Sequence, residues 1–291
     1  MPTRSVSQGF EEFHRRLVPS STESEAAKNH RRSIEECLKT NLGMLRFFRS
    51  GSFGNGTSVR NYSDVDYFAS LPDASIKDDS GKTLNDVATA LRQRFPTTNG
   101  IRVDSPAVVV PFGTDASETT EVIPADLTII SDPMVYKIAD GSGGWMRSSP
   151  EAQNDYVRSV NDRLGGKVKP LIRFLKAWKY FNGVPISSFY LEVVTAELAD
   201  GMNLIVYSYD VRDALRKLLT SNLSPVDDPA GKSGKVDACR TLLQKQDALI
   251  KLRGDVRRAE NARDSEAKDD ISGAFYWWDL VFNGNFPSHY Y

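Results

Sequence analysis

Three histidines, two cysteines and no charge excess limit the chemistry open to this 291-residue chain. His14, His30 and His289 are too few and too scattered to build a zinc cluster or a histidine base, so acid–base and metal work falls to carboxylates. Cys37 and Cys239 stand alone and read as reduced thiols rather than a disulfide or metal pair. Lys and Arg total 37 against 38 Asp and Glu, which argues against a protein that coats duplex DNA or RNA. Any anion site must come from locally placed cations, and a small, highly charged ligand suits the balance better than a polymer. No apolar run reaches the length of a bilayer span and no signal-peptide core opens the chain, so a cytoplasmic protein is expected.

What is present is concentrated in Arg49 to Phe68. Gly51, Gly54 and Gly56 allow a backbone to approach a polyphosphate, and Ser50 and Ser52 add hydroxyl donors. Asp64 and Asp66 follow on an expected strand, where residues two apart share a face and Val65 turns the other way. Paired hard oxygen ligands suit magnesium, which completes its shell with water and substrate phosphates. Taken alone, the segment is equally compatible with a hairpin carrying a solvated Asp pair.

The surrounding order reads as α+β. A polar helical region covers residues 5 to 43, with a cap at Ser20-Ser21-Thr22 and Ala27, Ile34, Leu38 and Leu42 at helical spacing. Met44–Arg49 reads as a strand, Thr83–Phe95 as an amphipathic helix, and Ile101–Val110 and Thr120–Ile130 as strands separated by the turn Phe112-Gly113-Thr114-Asp115. This β-β-α-β-β order predicts a mixed sheet with helices on one side. Asp126 lies among apolar strand residues, where an unpaired carboxylate is costly, so it is the expected third ligand beside Asp64 and Asp66.

A lobe boundary is expected near Gly165-Gly166, dividing residues 1–165 from a helical lobe of 166–291. In the following helix Val168, Leu171, Ile172, Leu175 and Trp178 form an apolar stripe, with Lys169, Arg173 and Lys176 as a basic stripe beside it. A charge run of this kind is equally the mark of a solvated face. Ser187-Ser188-Phe189-Tyr190 opens another helix, where hydroxyls and N–H groups favour anions and an aromatic ring offers a stacking plane. A P-loop at Gly231-Lys232-Ser233 fails, because the required first glycine is Val226.

The collinear set Gly51-Ser52…Asp64-Val65-Asp66, Pro124-Ala125-Asp126, Leu171–Trp178 and Ser187–Tyr190 resembles the polymerase-β-like nucleotidyltransferases. Ser224-Pro225-Val226-Asp227-Asp228-Pro229 and the terminal Phe282–Pro287 are similar to oligoadenylate synthetases and the bacterial cyclic GMP-AMP synthase-like enzymes, the CD-NTases. The resemblance spans roughly residues 25 to 287. It implies a nucleotidyltransferase lobe and a helical lobe with a cleft between them. It further implies that Gly51 and Ser52 hold a triphosphate, that Asp64, Asp66 and Asp126 bind two Mg2+ ions (Mn2+ substituting), that Lys176 and Ser188 contact phosphates, and that Phe189 stacks on a base. The implied activity is cyclic dinucleotide or oligonucleotide synthesis from ATP or GTP in antiphage signalling. The product would act on a separate effector protein, and a regulatory protein partner is compatible with the family. A second lysine of some relatives would fall at Tyr180, with Lys179 one position early. The alternatives are transfer of a nucleotide to RNA, protein or a small molecule, or a catalytically silent binding protein.

Overall fold

The computed structural model describes residues 2–19, 21–62, 64–113, 118–130, 133–228, 231 and 234–290, without the side chains of 21–24, 26, 27, 118 and 129. The expected cap at Ser20, the turn residues Thr114 and Asp115, and Pro229, Lys232 and Ser233 lie outside the described residues. In chain order the elements are α1 (Val6–Leu17), α2 (Ser21–Leu42), β1 (Arg46–Arg49), α3 (Gly51–Asn55), β2 (Val65–Leu71) and α4 (Ser80–Arg94). Then come β3 (Arg102–Asp104), β4 (Ala107–Phe112), β5 (Glu118–Ile129), β6 (Val135–Ala139), β7 (Trp145–Ser148), α5 (Pro150–Arg163), α6 (Val168–Phe181), α7 (Ser188–Asp200) and α8 (Tyr207–Thr220). A short ladder of β8 (Val226–Asp227) and β9 (Lys235–Val236) precedes α9 (Leu242–Ala267) and α10 (Ile271–Val281).

The helix-forming region of residues 5 to 43 holds two helices, and the second, Ser21–Leu42, begins where the sequence placed its cap. Pro19 disfavours helical geometry in Val18, which is extended at ψ 131°, so α1 stops there and the chain restarts as α2. Ser5 and Gln8 close a capping box at the start of α1.

The break matters because the two helices belong to different compact units. One is built on Pro19–Tyr156; the other gathers Met1–Val18, Val157–Pro229 and Lys235–Tyr291. The division thus falls within α5, ahead of the Gly165-Gly166 boundary read from the sequence, and α1 joins the helical unit.

In the first unit the strands run β1-β2-β5-β4-β3, with β6 beside β5 and β7 beside β6. Among the described residues only β2 and β5 pair in parallel. Side-chain alternation gives this sheet two distinct faces. Val65, Tyr67, Ala69 and Leu71 of β2, with Val122 of β5, pack on Ile34 and Leu38 of α2 and on Leu84, Val87 and Leu91 of α4. Each such fully buried Leu, Ile or Val contributes about 1.5–3 kcal/mol. Phe68 points to the other face, into a smaller cluster with Ala125, Tyr136 and Ile138.

The helical unit is held by rings. Phe10 and Phe13 of α1 stack against Phe174, Trp278, Phe282 and Phe286, with centroids 4.5 Å apart for Phe13 and Phe282 and 5.0 Å for Phe10 and Trp278. The Trp178 indole N–H donates to buried Asp255 at 2.8 Å, tying α6 to α9. Burial raises the Asp255 carboxyl above its usual range, and the hydrogen bonds from Trp178 and Arg258 oppose that rise.

Candidate active site

The glycine-serine segment is a short helix rather than an open loop. β1 runs antiparallel to β2 through Arg49 opposite Tyr67, and one residue further the Ser50 N–H donates to the Asp66 carbonyl at 2.9 Å. Ser50 is therefore still extended, and α3 begins immediately after it. Gly51 makes this turn with φ at +56°, and a β-carbon there would collide with the Asp66 carboxylate. Both the backbone angle and the close approach require glycine. The Thr57 N–H donates to the Ser52 carbonyl at 2.8 Å and fixes the end of the turn.

Asp66 is half-buried on β2, and Asp64 is half-buried just before that strand begins at Val65. Val65, between them, is in the core, as the alternation predicts. The third carboxylate is where the structure departs from the sequence reading. In the parallel pairing of β2 and β5, Asp66 is opposite Glu121, whereas Asp126 is opposite Leu71. Five strand residues separate Asp126 from that level, about 16 Å along β5. An odd separation also reverses the face. Asp126 shares a face with Val122, which packs on α2 and α4, while Glu121 shares a face with Ile123 and Ala125, the side to which Asp66 and Phe68 point. In the β2–β5 register Glu121, and not Asp126, is the cross-strand neighbour of Asp66.

Glu121 was legible in Thr120-Glu121-Val122, a carboxylate between strand residues. Choosing it over Asp126 required the register. Among the described residues no three His, Cys, Asp or Glu side chains already converge as a preformed cage. The donor set nevertheless fits magnesium: hard oxygens of neighbouring strands on one face, beside a backbone turn from which side chains are excluded.

In the helical unit α6 does not present the solvated basic stripe its sequence suggests. Arg173 and Lys176 are buried. Lys176 forms an ion pair with Glu192 of α7, and Arg173 meets the His14 ring of α1. Burial first, and then the Arg173 charge, push His14 down to about 4, and burial takes Arg173 down to about 10. The neighbouring Lys179 donates to the Ser188 hydroxyl at 2.6 Å, and the Tyr180 hydroxyl lies 3.1 Å from the same oxygen. Phe189 follows, half-buried. Lys179 and Tyr180, flagged in the sequence only as a lysine out of place, are thus brought together on the expected Ser188. Among the described residues no helix is long and apolar enough to cross a membrane.

Known proteins resemble this chain in sequence and in fold. Residues 4–161 match the Second Messenger Oligonucleotide or Dinucleotide Synthetase domain. A probable cyclic nucleotide synthase of Bacillus cereus is 26% identical over 177 residues, covering 58% of this chain and 52% of that protein, so this chain spans about half the length of that relative. A cyclic AMP-AMP-AMP synthase of an Acinetobacter species is 24% identical over 315 residues, 97% of this chain and 86% of that one. The fold resembles Escherichia coli MS115-1 CdnC, solved with ATP, at TM-score 0.76 and 16% identity over 97% of this chain and 98% of that one. The same protein was solved in complex with HORMA-deltaN and matches at TM-score 0.76 and 15% identity, over 97% and 98% of the two chains. With its mixed sheet and its matched domain spanning more than half the sequence, the chain belongs to the Second Messenger Oligonucleotide or Dinucleotide Synthetase family, the CD-NTases.

Proposed function

We propose that this protein is a magnesium-dependent synthase of a cyclic oligonucleotide, with ATP among its substrates and its product signalling to a separate effector in antiphage defence. The observation that carries the reading is the cross-strand placement of Asp66 beside Glu121 under the Gly51 turn. ATP is favoured because the relatives named above are a cyclic AMP-AMP-AMP synthase and a protein solved with ATP. A regulatory protein partner is proposed on the same footing, from the HORMA-deltaN complex of CdnC.

Asp64, Asp66 and Glu121 would hold the metal. Bound there, magnesium lowers the pKa of an attacking ribose hydroxyl and offsets charge on the departing pyrophosphate. Gly51 and Ser52 bring backbone close to the triphosphate, and the Gly51 turn keeps the Asp66 carboxylate unobstructed. Glu121, on the neighbouring strand, is placed to accept the hydroxyl proton at its carboxylate. In the helical unit Lys179 and Ser188 form a donor pair suited to phosphate oxygens, with Lys176 one turn earlier on α6, and Phe189 offers a plane for a base.

The test is incubation of purified protein with Mg2+ and labelled nucleoside triphosphates, then phosphatase treatment. A phosphatase-resistant product that drops on the order of 10³-fold, about 4 kcal/mol, in Asp66→Asn supports the synthase. Product that forms only when RNA or protein acceptor is added overturns it.

A further inference from the structure

Ser50, expected from the sequence to add a hydroxyl donor to a polyphosphate loop, instead lies in extended backbone just before the α3 turn. It is 1% exposed, and its hydroxyl has no hydrogen-bond partner among the described residues. A buried hydroxyl without a partner costs about 1–3 kcal/mol, so its presence calls for a reason. The register supplies one. Arg49 lies opposite Tyr67, and the Ser50 N–H donates to the Asp66 carbonyl, so Ser50 and Asp66 are directly opposed on neighbouring antiparallel strands. Ser50 is extended, with φ −127° and ψ −163°. Directly opposed residues project to the same face with β-carbons about 5 Å apart.

Ser50, Asp66 and Glu121 therefore form one row across β1, β2 and β5, with a hydroxyl donor on one flank of Asp66 and a carboxylate on the other. The Asp66 carboxylate also leans against Gly51, so it lies at the junction of that row and the α3 turn.

We propose that Ser50 is a positioning residue: its hydroxyl donates to the Asp66 carboxylate when a divalent cation is bound, and fixes the orientation of the ligating oxygens. A ligating carboxylate is normally itself hydrogen-bonded, and removing such a partner weakens metal binding by about 10–100-fold. Before the cation binds, the hydroxyl is a local source of instability. With the cation bound it is satisfied, so part of the binding energy comes from pairing it. This rests on the metal reading of Asp66 and Glu121 given above.

The test separates metal affinity from folding. Mn2+ binding to the full chain is followed by electron paramagnetic resonance without nucleotide, and thermal midpoints are recorded in EDTA. For Ser50→Ala the expected result is Mn2+ affinity weakened about tenfold with a midpoint in EDTA equal to or above that of the wild type. Ser50→Cys keeps the volume with a weaker donor and is expected to follow Ser50→Ala. Mn2+ affinity within twofold of wild type in both variants overturns the inference alone, as does a fall in midpoint in EDTA that tracks the loss of affinity. Absence of Mn2+ binding by the wild type overturns the metal reading and this inference with it.

Discussion

The two ends of β5 carry carboxylates of the same chemistry and opposite destinations. Glu121 is opposite Asp66, on the face shared with the Gly51 turn; Asp126 is opposite Leu71, on the face that packs against α2 and α4. The difference comes from parity and register, not from residue type. A strand places a side chain by whether its separation is odd or even, and an apolar neighbourhood in sequence says little about which face it joins.

The sharpest way to break the comparison is to neutralise both ends. Glu121→Gln is expected to lower product formation about 100-fold with an unchanged urea midpoint, whereas Asp126→Asn should stay within about twofold. Equal losses, measured as initial rates at saturating nucleotide, would place both carboxylates in the chemistry.

A second contrast lies on α6. Lys176→Ala strands the buried Glu192 carboxylate and should lower stability by about 3–5 kcal/mol, read from urea unfolding. Lys179→Ala leaves no such buried charge; it should raise the nucleotide KM about tenfold, about 1.4 kcal/mol, without moving the midpoint. A KM effect confined to Lys176→Ala would return the phosphate contact to that residue alone.

The smallest expected effect is a pH dependence of the helical unit. His14 is held down to about 4 from an ordinary 6.5, so the unfolded chain binds more protons between those values. The contribution of neutral His14 is complete above pH 6.5 and is lost as pH falls toward 4. Thermal midpoints of wild type should drop faster across that window than those of His14→Gln. Parallel curves would remove His14 as a source.

Much of this was legible in the residues. The alternation put Val65 in the core between Asp64 and Asp66, and the order of periodicities gave the mixed sheet flanked by helices. The misplaced features share a physical cause: each depends on a partner distant in sequence. Asp126 looked like a ligand because only the β2–β5 register shows where it points. Lys176 read as part of a basic stripe because Glu192, which neutralises it, is on another helix. The separate α1 was missed inside the helix-forming stretch of 5–43 because the rings that hold it, Phe174 and Phe282, lie far along the chain, and because Pro19, which ends it, was passed over.

That proline has a consequence for how the protein is made. α1 precedes the sheet unit in the chain, yet Phe10 and Phe13 pack on Phe282 and Phe286, which follow it. Thr3 bridges Tyr290, and the Arg4 guanidinium donates to the Ser288 and Tyr290 carbonyls. The sheet unit, contained almost wholly in Pro19–Tyr156, is synthesised before any of the aromatic partners of α1, of which Phe174 comes first and Trp278, Phe282 and Phe286 follow. Closing the helical unit therefore joins segments made before and after the sheet unit, and a nascent chain stalled short of Phe282 would hold a finished sheet unit and an unclosed helical one.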